Sequence, residues 1–394
     1  MKRFFEESEV LLCSKEQTQT FLKEVCDTDV WKRAYASETT AIGLDNNPIC
    51  MDSMRTDRQI PAEVSDDSVR ECMESVKLLL SIPCETRFCG FPLGTTALSS
   101  LVQRAGYGTS SVLLTCEDKA NQIEMAPDVK AEVLTAGLRC FKNSVLVLIR
   151  DEKIRAVLSG DESDYSPIRA DEIFTETING LEKQFDEVEF LEGTASHELF
   201  TFNFKLKDEY IERAICDVFR NAGIAVGDDF KLSIRVVTSD IGTSGVNITP
   251  MLYDVTNRVE RVIGKTLSLT HKNKHSISDY AVNVQKVYSM FKDAELSIEK
   301  MKDAKVKHTK GCYLRVCKQA GFPKKLAVED GEKFEAQFGN RCSQIDVYWR
   351  LFELLDTYNL KTSVSASRKI QLEEGICRIA FSNMADYDLP FEWE

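Results

Sequence analysis

The chain has 394 residues, of which 43% are hydrophobic and 29% are charged, and its 50 basic and 63 acidic residues give a net charge of −13. This composition excludes a long disordered chain, a collagen-like repeat and a coiled-coil rod, and its length permits two or three domains. The acidic balance excludes a surface that is basic throughout, although it is compatible with a local basic groove.

The N-terminus and the cysteines predict a cytoplasmic protein. Lys2 and Arg3 mimic the start of a signal peptide, but Glu6, Glu7 and Glu9 interrupt the apolar region that must follow. No apolar run approaches the roughly 18–20 residues that span a membrane, so no membrane contact is expected. The 13 cysteines are scattered through a large chain, which is typical of reduced, mostly buried thiols.

Residues 1–85 are predicted to form a mostly helical N-terminal segment. A turn is expected over 45–48, because Asn and Asp tolerate turn geometry and proline ends regular structure. Ser68 and Glu71 match a capping box, and apolar residues follow them at helical spacing. The pattern therefore predicts a helix over 68–81.

Residues 86–276 are predicted to form an α+β core domain. Short links between its strands imply antiparallel pairing, so the expected fold class is α+β, with an antiparallel or mixed sheet flanked by helices. Phe200, Phe202 and Phe204 alternate strictly, which is typical of a half-buried strand. The predicted elements are a helix at 96–104, strands at 144–150 and 154–159, a helix at 170–185, strands at 188–191 and 198–206, a helix capped by Asp208 that runs to Ala222, and strands at 232–238 and 259–270.

Residues 277–394 are predicted to form a helical C-terminal region with an acidic tail. Apolar residues keep a helical period for about seven turns from Ile277, and further helices are expected near 311–320, 344–358 and 364–384. The last nine residues, DYDLPFEWE, hold four acidic groups and no basic one. Phe391 and Trp393 are expected to dock on a partner or back onto the body, and the second is favoured.

The charge is concentrated in one stretch. Residues 299–325 hold nine basic residues against Glu299 and Asp303, a net charge of +7, which leaves −20 for the other 367 residues. Such cations neutralise phosphates, and a tyrosine among them is suited to stack on a base; the alternative is a solvated helix face. The predicted nucleic-acid-binding residues are Lys300, Lys302, Lys305, Lys307, Lys310, Tyr313, Arg315, Lys318, Lys324 and Lys325.

Two groups of side chains are candidates for a metal site. Asp161, Glu162 and Asp164 follow a predicted strand, where paired carboxylates suit Mg²⁺, although such clusters are also common in loops. The sequence contains no nucleophile, general base or cofactor-binding motif at a spacing known from enzymes. No cofactor is therefore predicted, and no class of enzyme is indicated. A zinc site is the second candidate, and the alternative is that its histidines lie on the surface and its cysteines in the core. Its ligands would be His271, His275, His308, Cys312 and Cys317.

Three phrases of the sequence carry a family resemblance. They are KIRAVLSGDESDYSPIRADEIFTETI (153–178), LSIRVVTSDIGTSGVNITPMLY (232–253) and VYWRLFELLDTYN (347–359). Together they resemble the phage- and plasmid-borne family known as domain of unknown function 932, over about residues 150–360. Typical members carry a charged cluster that often includes Arg in the first turn, where this chain has GDESDY. The resemblance implies a mobile-element protein in a bacterial cytoplasm and implies no activity.

Three hypotheses of function follow. The leading one is a non-enzymatic phage or plasmid protein that contacts nucleic acid through 299–325, in recombination or strand annealing. Single-strand annealing proteins also combine an antiparallel sheet, helices and a basic groove, which is a fold-level analogy. The second is an acidic interaction protein that inhibits a host defence factor through the surface of the other 367 residues, whose net charge is −20. The third is a metal-dependent enzyme acting on nucleic acid, and each of the three is compatible with an oligomer.

Overall fold

The computed structural model describes residues 9–44, 59–85, 87–108, 125–227, 229–362 and 364–393. The turn predicted over 45–48 lies outside these residues. The described chain forms antiparallel sheets flanked by helices, followed by a helical C-terminal region. The predicted α+β class is therefore confirmed.

In the described residues up to 270, strands and helices alternate in short blocks, and the elements described beyond residue 270 are helices. The strands are β1 (Val10–Leu12), β2 (Val30–Tyr35), β3 (Thr40–Gly43), β4 (Leu78–Pro83), β5 (Phe88–Pro92), β6 (Ser144–Arg150), β7 (Lys153–Ser159), β8 (Glu187–Ala195), β9 (Phe200–Lys207), β10 (Phe230–Thr238), β11 (Val246–Asp254), β12 (Val259–Val262) and β13 (Leu267–Leu269). The helices are α1 (Lys15–Thr28), α2 (Asp66–Glu74), α3 (Thr95–Arg104), α4 (Pro127–Arg139), α5 (Ala170–Leu181), α6 (Glu209–Asn221), α7 (Ile277–Val284), α8 (Val287–Asp303), α9 (Thr309–Ala320), α10 (Lys324–Phe338), α11 (Gln344–Thr362) and α12 (Ala366–Ala380).

The largest sheet carries the main core. Its strand order is β1-β8-β9-β10-β11-β12, with β13 beside β11, and the paired strands are antiparallel. Phe200, Phe202 and Phe204 of β9 are buried as predicted, and the Phe174 ring of α5 lies 5.1 Å from that of Phe202. The Asp208 side chain accepts hydrogen bonds from the first backbone N–H groups of α6, which confirms the predicted cap.

Two three-stranded sheets, β2-β6-β7 and β3-β4-β5, surround a second core. The helix predicted over 68–81 is wrong in its second half, because α2 is capped by Ser65 and ends at Glu74, and residues 78–83 form β4. Lys77 has a φ of 61°, which ends the helical path. The apolar run of β4 is buried between neighbouring strands, and such a run fits a strand or a helix equally well by sequence. The boundary predicted between 85 and 86 falls inside the hairpin of β4 and β5.

The C-terminal region is helical from α7 to α12. The long helix predicted from Ile277 is divided, because α7 ends at Val284 and α8 begins at Val287. The helices predicted near 311–320, 344–358 and 364–384 correspond to α9, α11 and α12. Helix α10 was not predicted from the sequence, and it packs against α9.

A buried ion cluster fastens the last helix to the main sheet. Arg235 of β10 donates one hydrogen bond to Glu260 of β12 at 2.8 Å and another to Glu373 of α12. Lys369 lies 3.9 Å from the Glu373 carboxylate. Burial opposes the charge of Arg235, but Glu373 and Glu260 outweigh it and raise the pKa of the guanidinium. The cluster therefore holds α12 at one position on the sheet.

We expect Arg235→Ala to lower the free energy of unfolding by about 3–5 kcal/mol, because it leaves two buried carboxylates without their cation. Urea denaturation followed by circular dichroism measures this loss. The control is Arg213→Ala on α6, whose side chain is 78% exposed and should leave stability nearly unchanged. A loss below about 1 kcal/mol for Arg235→Ala would contradict this description of the cluster.

Candidate nucleic-acid interface

Residues 299–325, called here the basic segment, run from the end of α8 through α9 to the first turn of α10. The bends between these three helices bring separate groups of cations to the surface. Six lysines are exposed, and three other cations are half-buried. The exposed ones are Lys300, Lys305, Lys307, Lys318, Lys324 and Lys325, and the half-buried ones are Lys302, Lys310 and Arg315.

Most lysines of the basic segment lack an acidic partner. Lys310 lies 3.7 Å from Glu332. Within the described chain, the other seven lysines of the segment form no ion pair. Lysines on the main sheet differ, since Lys205 pairs with Glu189 and Lys231 with Glu212. An unpaired group of cations leaves a local positive potential on an acidic protein.

Several of these lysines stand at helix ends where they do not stabilise the helix. A helix N-terminus carries a partial positive charge and favours acidic side chains. Neither α9 nor α10 has an acidic residue in its first turn. Lys307 and Lys310 lie at the start of α9, and Lys324 and Lys325 begin α10. The two helix dipoles therefore add to the positive potential of the lysines.

Tyr313 does not belong to this surface, so its predicted stacking on a base is wrong. Its side chain is buried on the inner side of α9, where the ring stacks on Phe334 at 4.8 Å. The hydroxyl donates to Asp330 at 2.5 Å, and burial raises the pKa of Tyr313 well above its ordinary value. Phe322, the other aromatic residue of the segment, is also buried.

The acidic C-terminal tail lies against the basic segment. The Asp388 carboxylate accepts the backbone N–H groups of Lys307, at 2.9 and 3.0 Å, and of His308, at 2.7 Å. The centre of the Phe391 ring is 5.3 Å from the guanidinium carbon of Arg315 and 5.6 Å from Nζ of Lys318. Phe391 and Trp393 also pack against the main core. The predicted docking of the tail onto the body is confirmed.

The acidic turn that was a candidate magnesium site has its carboxylates engaged elsewhere. Asp161 accepts the backbone N–H of Ser163 at 2.8 Å, and Asp164 accepts the Ser159 hydroxyl at 3.0 Å. The Glu162 carboxylate faces two cations, at 3.5 Å from Arg33 and 3.8 Å from Lys274. No group of three or more metal-ligating side chains suited to an ion occurs in the ranges that the structure describes. The geometry therefore gives no support to metal binding here.

The five candidate zinc ligands are likewise not gathered into such a group in the described ranges. Cys312 and Cys317 are buried in the core, and burial raises the pKa of Cys312 to about 12, which disfavours the thiolate that binds zinc. His308 is exposed at the start of α9. His271 is buried far along the chain from these residues, with its ring stacked on Tyr165 at 5.2 Å.

Two of the three phrases that resemble the phage and plasmid family meet in space. Tyr165, in the GDESDY turn, donates its hydroxyl to the backbone carbonyl of Asp240, in the SDIGTSG loop, at 2.9 Å. The Asp240 carboxylate accepts from buried Arg150, which also binds both carboxylate oxygens of Asp29 at 2.7 Å. Sequence reasoning missed Arg150, because its partners are 121 and 90 residues away. This network holds the loop in place.

Comparisons of the chain with protein-family models, with curated proteins and with solved structures each find no match. Among the described residues, none of the helices has the length and apolar character needed to cross a bilayer.

His271 makes folding depend on pH. Burial lowers its pKa below the ordinary value of 6.5, so the unfolded chain takes up a proton at a higher pH than the folded protein. The stability that neutral His271 contributes is present above about pH 6.5 and is lost as the pH falls through the lowered pKa. We expect urea titrations at about pH 7.5 and 5 to show a smaller pH-dependent loss for His271→Phe than for the wild type.

The matched control for this experiment is His308→Gln, which changes an exposed histidine and should keep the wild-type pH dependence. An identical loss of stability in the wild type and in His271→Phe would contradict the dependence of folding on the protonation of His271.

Proposed function

We propose that this chain is a non-enzymatic nucleic-acid-binding protein whose contact surface is the basic segment. The observation that carries the proposal is a set of exposed lysines without ion-pair partners among the described residues, on a protein that is otherwise acidic. The proposed contacts are Lys300, Lys302, Lys305, Lys307, Lys310, Arg315, Lys318, Lys324 and Lys325. Tyr313 is not among them because it is buried.

The helix ends support contact with phosphates. Cations at the starts of α9 and α10 oppose the helix dipoles, so helix stability does not account for their position. A phosphate beside either helix start would meet lysine ammonium groups and the positive end of that helix. Contacts of this kind recognise the backbone of a nucleic acid and not its sequence.

The biological setting is proposed from the resemblance alone. A phage or plasmid protein that holds nucleic acid without reading its sequence suits recombination or strand annealing. The acidic inhibitor of a host defence factor is the alternative if the purified protein binds neither single- nor double-stranded DNA.

The test is binding of labelled single- and double-stranded oligonucleotides at two salt concentrations. We expect the affinity to fall steeply with added salt, because each neutralised phosphate of a single strand contributes a slope of about 0.7 to log K against log salt. The triple variant Lys305→Gln, Lys324→Gln and Lys325→Gln should weaken binding and reduce this slope by up to about 2.

The matched control removes three exposed lysines elsewhere, with Lys23→Gln, Lys142→Gln and Lys183→Gln. It carries the same change in net charge and should bind nearly as the wild type does. The proposal fails if no binding occurs at low salt, if binding is insensitive to salt, or if both triple variants lose affinity equally.

A further inference from the structure

The acidic tail occupies groups that the proposed function assigns to nucleic acid. Its described part, residues 386–393, carries Asp386, Asp388 and Glu392 and no cation. It crosses the first turns of α9, where a cavity of about 510 Å³ is lined by Lys307 and Lys310 on one side and by tail residues on the other.

Asp388 binds two backbone N–H groups that directly precede α9. Its two carboxylate oxygens accept the N–H groups of Lys307 and His308 at 2.7–3.0 Å. Backbone N–H groups at the start of a helix are the donors that bind phosphate oxygens in other proteins. A carboxylate and a phosphate cannot both use these two donors.

Phe391 covers two cations of the basic segment. Arg315 and Lys318 are three residues apart on α9, so they lie on the same face, and both are within 6 Å of the ring centre. The Arg315 Nε atom is buried and has no hydrogen-bond acceptor in the described chain. The tail therefore contacts these two cations through the aromatic ring of Phe391 and not through a carboxylate.

The tail is closely fitted to α9 and is held there by hydrogen bonds and ring contacts. A Cβ atom at Gly311 would lie 2.6 Å from the Leu389 carbonyl oxygen and 2.8 Å from the Phe391 nitrogen, so only glycine admits the tail at this distance. No ion pair joins a tail carboxylate to a lysine in the described chain. Before the tail, Met384 is buried, and the Cys312 thiol lies against its sulfur at 3.5 Å. This buried contact anchors the chain immediately before residues 386–393.

We propose that the acidic tail is an intramolecular competitor of nucleic acid, which must leave α9 before the whole basic segment is available. This inference rests on the proposed function. The apparent affinity for nucleic acid is then the intrinsic affinity reduced by the fraction of molecules whose tail is released. Any change that loosens the tail therefore tightens binding.

The test compares single substitutions in the full chain. Asp388→Asn removes the carboxylate at the start of α9, and Phe391→Ala removes the ring from Arg315 and Lys318. Each should lower the Kd for single-stranded DNA at least about three-fold, because each raises the released fraction. The control Glu392→Gln makes the same change in charge as Asp388→Asn at an exposed position without these contacts, and it should change the Kd less than two-fold.

Hydrogen exchange of the tail amides gives a second readout. Addition of single-stranded DNA to the wild type should speed exchange over 388–393, because the bound strand displaces the tail. The inference is overturned if Asp388→Asn and Phe391→Ala leave the Kd unchanged or raise it, if Glu392→Gln tightens binding equally, or if tail exchange is unaffected by bound DNA. These failures differ from failure of the proposed function, in which none of the proteins binds DNA.

Discussion

The arrangement of the protein depends on one buried charge, the guanidinium of Arg235. It lies on an inner strand of the main sheet and binds carboxylates from a neighbouring strand and from α12, so the sheet and the last helix have a fixed relation. Helix α12 in turn packs against α9, the centre of the basic segment. A buried cation with two carboxylate partners tolerates little displacement, because either partner left alone would be a buried unpaired charge.

Around this fixed arrangement of sheet and helices, the charges of the molecule are unevenly distributed. The average of −13 conceals a basic segment of +7 in which seven of the eight lysines have no ion-pair partner among the described residues. The acidic tail lies against this segment, yet it engages backbone N–H groups through Asp388 and cations through the ring of Phe391. Lys307, Lys324 and Lys325, at the starts of α9 and α10, thus keep their charge exposed. In our proposal the tail regulates access to part of the basic segment.

Patterns that lie within a few residues of one another predict several of the elements. The alternation of Phe200, Phe202 and Phe204 marks a strand with one covered face, and the cap at Asp208 is a local interaction, so both were predicted. Strand β4 was predicted as a helix because its residues are buried on both faces and show no period of two. Tyr313 was misplaced because α10, which was not predicted from the sequence, covers its side of α9. The contact of Asp388 with Lys307 spans 81 residues and leaves no local signal.

The central claim is that nucleic acid lies on the basic segment. The most direct measurement is the chemical reactivity of each lysine with and without bound single-stranded DNA, read by mass spectrometry. We predict that Lys300, Lys305, Lys318, Lys324 and Lys325 lose reactivity, while exposed lysines such as Lys142 and Lys183 keep it. A loss of lysine reactivity spread evenly over the surface, or one that spares residues 299–325, would contradict the proposed position of the nucleic acid.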